Sequence, residues 1–254
     1  MDNPQTYRDA AREKGVPEHV IDHALRLTLP QTELTTSDAD GGVPAGRYGG
    51  LPSLPAGVEW GGGLDLVATV DCAALPPDGF DLPLPRDGRL LFFANRTDPE
   101  GAVLIEDSRA VIHIPAGTPT TERALPEGAL PALDPRPLYA RAVRSFPTPA
   151  DDAVLSDPET RLLYREYRLG DHDHRMPSWD DSLLLGGYAY SPQDPPIMGS
   201  SPEDEKGGWV LLAQAQLDMP EDRGFTACPF WIIQRDELGA GNFAAAALVT
   251  LTYH

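Results

Sequence analysis

The chain is poor in lysine and cysteine, and it lacks any long apolar run. Among its 254 residues only Lys14 and Lys206 are lysines, and only Cys72 and Cys228 are cysteines. Because neither cysteine belongs to a C-x-x-C pair, zinc-ribbon and thioredoxin-like sites are excluded, and two isolated thiols suit a reducing cytoplasm. No stretch approaches the roughly 18 apolar residues of a membrane-spanning helix. The first residues also lack the basic and apolar regions of a secretory signal, so we expect a cytoplasmic protein.

Positive charge is scarce relative to negative charge. Twenty Lys and Arg residues stand against 39 Asp and Glu residues, which gives a formal net charge of −19. Such a surface repels phosphate backbones and anionic lipid head groups, so nucleic acids and membrane surfaces are poor partners. It attracts a basic protein, and association with that protein is faster at low salt. A basic protein partner is therefore one hypothesis, and solubility alone is the simpler interpretation of the charge.

Motifs of nucleophilic and nucleotide-dependent catalysis are missing as well. The chain has no G-x-S-x-G nucleophile elbow, and its glycine-rich runs match neither the Walker loop nor a dinucleotide-binding fingerprint. Cys72 follows Asp71, whose negative charge raises the pKa of a neighbouring thiol and so makes it less reactive. No catalytic residue and no cofactor is predicted, and a non-catalytic role is favoured over an enzymatic one.

Helices are expected mainly in an N-terminal segment, residues 1–33. The first covers Pro4–Lys14 and ends at Gly15, since glycine adopts the positive φ of a helix C-terminus without strain. Pro17 suits the first turn of a second helix, which has Val20, Ile21, Ala24 and Leu25 on one face and ends at Pro30. A third helix is predicted at Pro158–Tyr167, with Asp157 as its N-cap.

The remaining residues, 41–254, are expected to form antiparallel β-structure. The 24 glycines and 27 prolines favour short elements joined by turns. Alternating or compact apolar residues predict strands at 64–71, 89–94, 102–106, 110–114, 138–146, 209–218, 230–233 and 243–252.

Two parts of the chain follow one pattern. Leu66-x-Ala68-x-Val70-Asp71 aligns with Ala213-x-Ala215-x-Leu217-Asp218, and a proline-containing loop and an aromatic strand follow each. This similarity predicts an internal duplication whose halves share one core, so the whole chain, 1–254, is predicted to be a single domain.

Several segments occur in an order typical of a known family. They include Gly49-Gly50-Leu51-Pro52-Ser53-Leu54-Pro55 followed by Trp60, then 66–76, 85–93, Leu184-Leu185-Gly186-Gly187-Tyr188 with Gln193-Asp194, 211–218 and 230–238. From about Gly41 to His254 the chain resembles the YwqG-like family, a bacterial group of unknown function. The resemblance implies a mainly β, roll-like fold with added helices, and it supplies no catalytic residues. One departure is Gly224-Phe225-Thr226-Ala227-Cys228, where family members often carry an aromatic-Gly-Asp turn.

Histidines supply two weak candidates for a metal site. His172 and His174 alternate in Asp171-His172-Asp173-His174, so both could face one ion on an extended segment. His19 and His23 are four residues apart on the second helix but lack the glutamate of an H-E-x-x-H hydrolase. A solvated polar surface is the favoured interpretation of both, and no metal is predicted.

Amides and aromatic side chains form the candidate ligand-binding set. Gln193, Asp194 and Gln214 could line a pocket beside Tyr188 and Trp209, although polarity at a strand edge is the favoured explanation of Gln214. Three hypotheses remain. The leading one is a non-catalytic binding protein for a basic partner, one version being an immunity protein that neutralises a basic toxin. The others are a metal-assisted hydrolase organised around His172 and His174, and a small-molecule sensor at Tyr188 and Gln193.

Overall fold

The helices lie largely where the sequence predicts them. The computed structural model describes residues 4–39, 41–60, 63–96, 109–147, 157–169, 182–190, 208–218 and 226–253. Within them, α1 spans Pro4–Glu13, α2 spans Glu18–Leu27, α3 spans Pro158–Tyr167 and the short α4 spans Arg235–Gly239. The first three confirm the prediction, whereas α4 was not predicted.

Strands make up most of the regular structure. They are β1 (Leu29–Thr35), β2 (Val43–Tyr48), β3 (Ser53–Leu54), β4 (Asp65–Asp71), β5 (Arg89–Ala94), β6 (Val111–Ile114), β7 (Thr121–Glu122), β8 (Arg136–Ser145), β9 (Leu183–Gly186), β10 (Trp209–Ala215), β11 (Leu217–Asp218), β12 (Thr226–Gln234) and β13 (Ala247–Tyr253). Short 3-10 helices follow β4, at Cys72–Ala74, and precede β13, at Phe243–Ala245. The predicted strand at 102–106 lies outside the described residues.

One antiparallel sheet contains nearly all of these strands. Its order is β11-β12-β10-β9-β1-β8-β2-β4-β5-β6, and β13 pairs with the other side of β12. Strands β10 and β11 pair in turn with β12, and β3 and β7 form a separate small ladder. The mainly β prediction is therefore correct. Both predicted repeat units form antiparallel hairpin-like pairs, β4 with β5 and β10 with β12, while the duplication itself stays a prediction.

The sheet curls into a half-barrel, because side chains from its two ends meet. Trp231 of β12 and Phe92 of β5 form an edge-to-face ring pair with centroids 5.3 Å apart. Trp231 Nε1 also donates a hydrogen bond of 2.8 Å to the Phe93 carbonyl oxygen. These strands lie near opposite ends of the sheet order, so only a strongly curled sheet brings them into contact. The inner face thereby becomes the main core.

Loops and short helices complete that core. The connection between β4 and β5 contributes Leu75, Leu82 and Leu84, and the segment after β12 contributes Leu238 and Phe243. Thr32 Oγ1, on the inner face of β1, donates to the Gly79 carbonyl oxygen at 3.0 Å and anchors the β4–β5 connection. The inner face is therefore occupied by the chain's own apolar side chains.

The three longer helices pack together as a second cluster. Tyr7, Val20, Ile21 and Tyr164 are among its buried members. At the start of α3, Asp157 accepts hydrogen bonds from the backbone nitrogens of Glu159 and Thr160, as expected for an N-cap. No helix in the described part of the chain is long and apolar enough to cross a membrane.

Five strands were not predicted: the short β3, β7 and β9, and also β1 and β2, which contradict specific expectations. Strand β1 lies within the segment 1–33 that was expected to be helical and continues beyond it, and it pairs with both β8 and β9 at the centre of the sheet. Strand β2 begins in the glycine- and proline-rich stretch expected to be loop. Both contain a proline or glycine that weakens the local strand pattern, and their neighbours in the sheet override that preference.

Candidate functional site

Polar side chains of the central strands lie buried on the outer face of the sheet. Leu34 points into the main core, so strand alternation places Gln31, Glu33 and Thr35 on the opposite, outer face. These three side chains and Gln214 of β10 are all buried. Together with Arg141 of β8 they form what we call the outer polar row. Buried polar groups cost free energy unless they are hydrogen-bonded, so their partners indicate what the row can do.

An ion pair lies at the centre of the outer polar row. Glu33 and Arg141 are directly opposite each other in the β1–β8 register. Arg141 Nε donates to Glu33 Oε2 at 2.6 Å, and Arg141 Nη2 pairs with the same oxygen. The two side chains are only 8% and 16% exposed. A pair this buried adds little net stability, yet removing one partner is costly.

A tight turn after β9 brings the chain back over the outer polar row. Gly186 and Gly187 have φ values of +68° and +71°, which glycine adopts without strain. Gln31 Nε2 donates to the Gly186 carbonyl oxygen at 2.9 Å. Tyr188 N donates to Ser145 Oγ at 3.0 Å, and Tyr188 Oη donates to the Leu27 carbonyl oxygen at 2.8 Å. Tyr188 thereby connects the turn to both β8 and the end of α2.

Gln214 holds the next part of the same segment. Its Oε1 accepts a hydrogen bond from Tyr190 N at 2.8 Å, and its Nε2 donates to the Tyr190 carbonyl oxygen at 3.2 Å. The side-chain amide therefore binds backbone as a neighbouring strand would. Trp209, at the start of β10, packs against an apolar cluster on the outer face that includes Phe230. In the structure Gln214 binds the segment that contains Tyr188. Gln193 and Asp194 lie outside the described residues.

Neither cysteine is activated. Burial, and to a lesser extent the charges of Asp71 and Asp87, raises the pKa of Cys72 to about 11. Burial raises the pKa of Cys228 to about 12. Both thiols are therefore neutral near neutral pH, which is the opposite of what a catalytic thiolate requires. The effect of Asp71 expected from the sequence is present but is smaller than that of burial.

The histidines provide no metal centre where the structure can be described. No group of three or more His, Cys, Asp and Glu side chains that could hold a metal occurs in those ranges. His172 and His174 lie outside them, so the metal hypothesis at these residues stays a prediction. His23 Nε2 lies 2.7 Å from Thr160 Oγ1, and this contact connects α2 to α3. His23 thus contributes to helix packing on the face expected to be solvated.

Sequence reasoning missed the Glu33–Arg141 pair. Its two residues are separated by 108 positions and belong to strands of which only β8 was predicted. The available signal was the alternation of Gln31, Glu33 and Thr35 with Thr32 and Leu34, which suits a strand with one polar face.

The chain was also compared with known proteins. Residues 46–250 match the model of a domain of unknown function, DUF1963. No curated protein matches the chain. The match begins inside β2, so α1, α2 and β1 precede it, although β1 pairs with two strands of the matched range.

Proposed function

Since the chain belongs to the DUF1963 family of domains of unknown function, we propose a function from its own surface: a non-catalytic binding protein whose partner is a basic protein. The observation that carries this proposal is the arrangement of its charges. The 39 acidic residues outnumber the 20 basic ones, and several arginines bind backbone carbonyl oxygens of the protein itself. The negative side chains are consequently left to face solvent and an approaching partner.

Several arginines hold loops in place through hydrogen bonds to backbone carbonyl oxygens. At least five guanidinium groups donate to backbone carbonyl oxygens: Arg47 to Leu51, Arg96 to Pro131, Arg109 to Glu59, Arg123 to Pro55, and Arg144 to Thr28. A guanidinium bound in this way has fewer N–H groups left for a surface carboxylate. The pairing of surface charges is correspondingly incomplete, which favours long-range attraction of a cationic protein.

Exposed carboxylates gather at one end of the sheet. Asp71 ends β4, and Asp78, Asp81 and Asp87 lie on the connection to β5; all four are exposed. Asp236 of α4 is also exposed, and Arg235 Nη2 lies 4.0 Å from Asp81 Oδ2, which connects α4 to the same loop. We call these five aspartates the acidic end. Its charge complements a basic surface, so we propose it as the docking region for the partner.

Salt-dependent capture with matched charge variants tests this function. Tagged wild-type protein is incubated with native lysate at low and high salt, and retained proteins are identified by mass spectrometry. Purified partner is then titrated to measure Kd. The test variant carries Asp78→Asn, Asp81→Asn and Asp87→Asn. The control carries three equivalent changes on α1 and α3, Glu13→Gln, Glu159→Gln and Glu166→Gln, all at exposed positions.

The two variants separate docking from general charge attraction. A stoichiometric basic protein whose binding weakens with salt and with the test variant, but far less with the control, supports the proposal. Equal weakening by both variants would support a basic partner while refuting the acidic end as its docking region. Capture of no basic protein, or salt-independent binding, would refute the function. A toxin in the retained fraction would identify the immunity-protein version.

We also propose that the chain is a YwqG-like member of its family. The glycine pairs that carry this resemblance support it. Gly49 and Gly50 have φ values of +63° and +79°, and Gly186 and Gly187 are likewise left-handed. At Gly49 a Cβ atom would lie 2.6 Å from the Leu133 carbonyl oxygen, so glycine is required there for a structural reason.

A further inference from the structure

The connection between β4 and β5, residues 72–88, is closed by its own hydrogen bonds. At its two ends Cys72 N donates to the Gly88 carbonyl oxygen at 3.0 Å. Asp71, which precedes this loop, accepts a hydrogen bond from Ala73 N at 3.0 Å. Since the ends of the loop are tied together, the positions of the aspartates that it carries depend on what holds its middle.

A threonine of the central strand β1 holds the middle of this loop. Thr32 Oγ1 donates to the Gly79 carbonyl oxygen at 3.0 Å, and both residues are buried. Thr32 lies opposite Ala142 of β8 and Leu185 of β9, so its strand is paired on both sides. A Cβ atom on Gly79 would overlap Thr32 Oγ1, so only glycine lets the loop backbone approach the hydroxyl group. The loop is therefore attached to a strand that is itself fixed by two neighbours.

Two exposed carboxylates flank this attachment point. Asp78 precedes Gly79, and Asp81 lies two residues after it; both aspartates are exposed and belong to the acidic end. Leu82, which follows Asp81, is buried in the main core. Gly79 and Leu82 thus hold the loop from the inside, and the two aspartates are left on the solvent side.

We infer that Thr32 is a positioning residue of the acidic end: its hydroxyl group fixes the loop between Asp78 and Asp81 and so preorganises both carboxylates for the cationic groups of a partner. The inference rests on the proposed function, which supplies the cationic partner. A loop that is fixed before binding does not pay the entropy of ordering when the partner arrives. A loop with the same charges and a free middle would attract the partner equally at long range but hold it less tightly.

Titration of the full chain with a nona-arginine peptide tests this role. Thr32→Val keeps the β-branched shape and removes the hydroxyl group, so the buried Gly79 carbonyl oxygen loses its donor and the loop must open to water. The affinity for the peptide should fall about threefold to tenfold, the range of one neutral hydrogen bond. The salt dependence of Kd should stay the same, because no charge changes. Thr32→Ser restores a hydroxyl group and should recover the affinity.

A second threonine provides the matched control. Thr28, just before β1, is buried, and its Oγ1 donates to the Leu25 carbonyl oxygen at 2.9 Å. Thr28→Val removes an equivalent hydrogen bond away from the loop and should leave the affinity unchanged. Hydrogen exchange reports on the loop directly, since Gly79 N donates to the Pro76 carbonyl oxygen at 3.0 Å. Exchange of the Gly79 amide should accelerate in Thr32→Val and not in Thr28→Val.

The outcomes separate this inference from the proposed function. Faster exchange with weaker binding in Thr32→Val, both reversed in Thr32→Ser, supports the positioning role. Unchanged affinity in Thr32→Val, with the wild type binding the peptide, overturns the role and leaves the docking region intact. A wild type that does not bind the peptide overturns both. If Thr32→Val does not fold, exchange in the wild type decides. A Gly79 amide already protected without peptide supports preorganisation, whereas one that becomes protected only with peptide refutes it.

Discussion

Replacing Gly187 by alanine should destabilise the protein more than the same change at Gly57, a left-handed glycine with open space around it. Gly187 has a φ of +71°, and an added Cβ would lie 2.8 Å from Gln31 Nε2 and closer still to Ser145 Oγ. A left-handed alanine costs about 1–2 kcal/mol. Displacing Gln31 and Ser145 would also weaken two hydrogen bonds, to Gly186 O and from Tyr188 N, at about 1 kcal/mol each.

Together these terms predict a loss of about 3–4 kcal/mol, a large part of the 5–15 kcal/mol typical of a folded domain. Gly57→Ala is the matched control, because Gly57 has a φ of +76° and an added Cβ would meet nothing within 4 Å. It should cost only the backbone term of about 1–2 kcal/mol. Urea unfolding of both variants, with the slope m held in common, measures the two values.

The comparison isolates the contacts of the turn over the outer polar row. A Gly187→Ala variant no less stable than Gly57→Ala would refute the reasoning, since it would show that Gln31 and Ser145 move aside without cost. An equal loss of stability in both variants would show that the positive φ is the only reason for glycine at position 187.

Three further predictions concern ionisable groups. Glu33→Gln should cost about 3 kcal/mol in urea unfolding, because it removes the carboxylate that pairs with the largely buried Arg141, whereas replacing both residues by methionine should cost much less. Asp157→Ala should lower the melting temperature at neutral pH. A hydrogen bond from the Thr160 hydroxyl, and then those from the Thr160 and Glu159 backbone nitrogens, lower the pKa of Asp157, so the carboxylate stabilises the fold above about pH 4 and the difference from wild type should vanish in acid. Cys72 and Cys228 should resist iodoacetamide until the protein is unfolded, because both thiols are buried and neutral.

Specific results would contradict each of these. Equal losses for Glu33→Gln and the double methionine variant would mean that packing, not charge pairing, governs this position. A melting difference for Asp157→Ala that persists unchanged in acid would exclude the ionised cap as its origin. Rapid labelling of either thiol in the native state would show that local opening exposes it.

Elements with local signals were predictable. The N-cap and proline at the start of α3, the apolar face of α2 and the compact strand β5 all depend on residues within a few positions of each other. Capping and periodicity act through such short-range contacts, so a single sequence contains the information. The mainly β class followed from the same local patterns.

Strand β1 shows where local reasoning fails. Its outer face consists of Gln31, Glu33 and Thr35, which would be read as solvent-exposed, yet all three are buried. Their burial is possible because Arg141 and the Gly186 carbonyl supply partners from distant segments. No residue close to β1 in the sequence indicates those partners. The polar side chains therefore gave no sign that this segment forms a central strand.

The sequence alone determined the net negative charge and the expectation of reduced, unpaired cysteines. It also determined the positions of three helices and most strands, and the need for tight glycine turns. Only the tertiary structure decided that the sheet curls until Trp231 meets Phe92, and that Glu33 pairs with Arg141. The physical reason is the distance along the sequence over which each effect acts. Charge, periodicity and capping are properties of neighbouring residues, whereas ion pairing and burial depend on which distant strands become neighbours when the sheet closes.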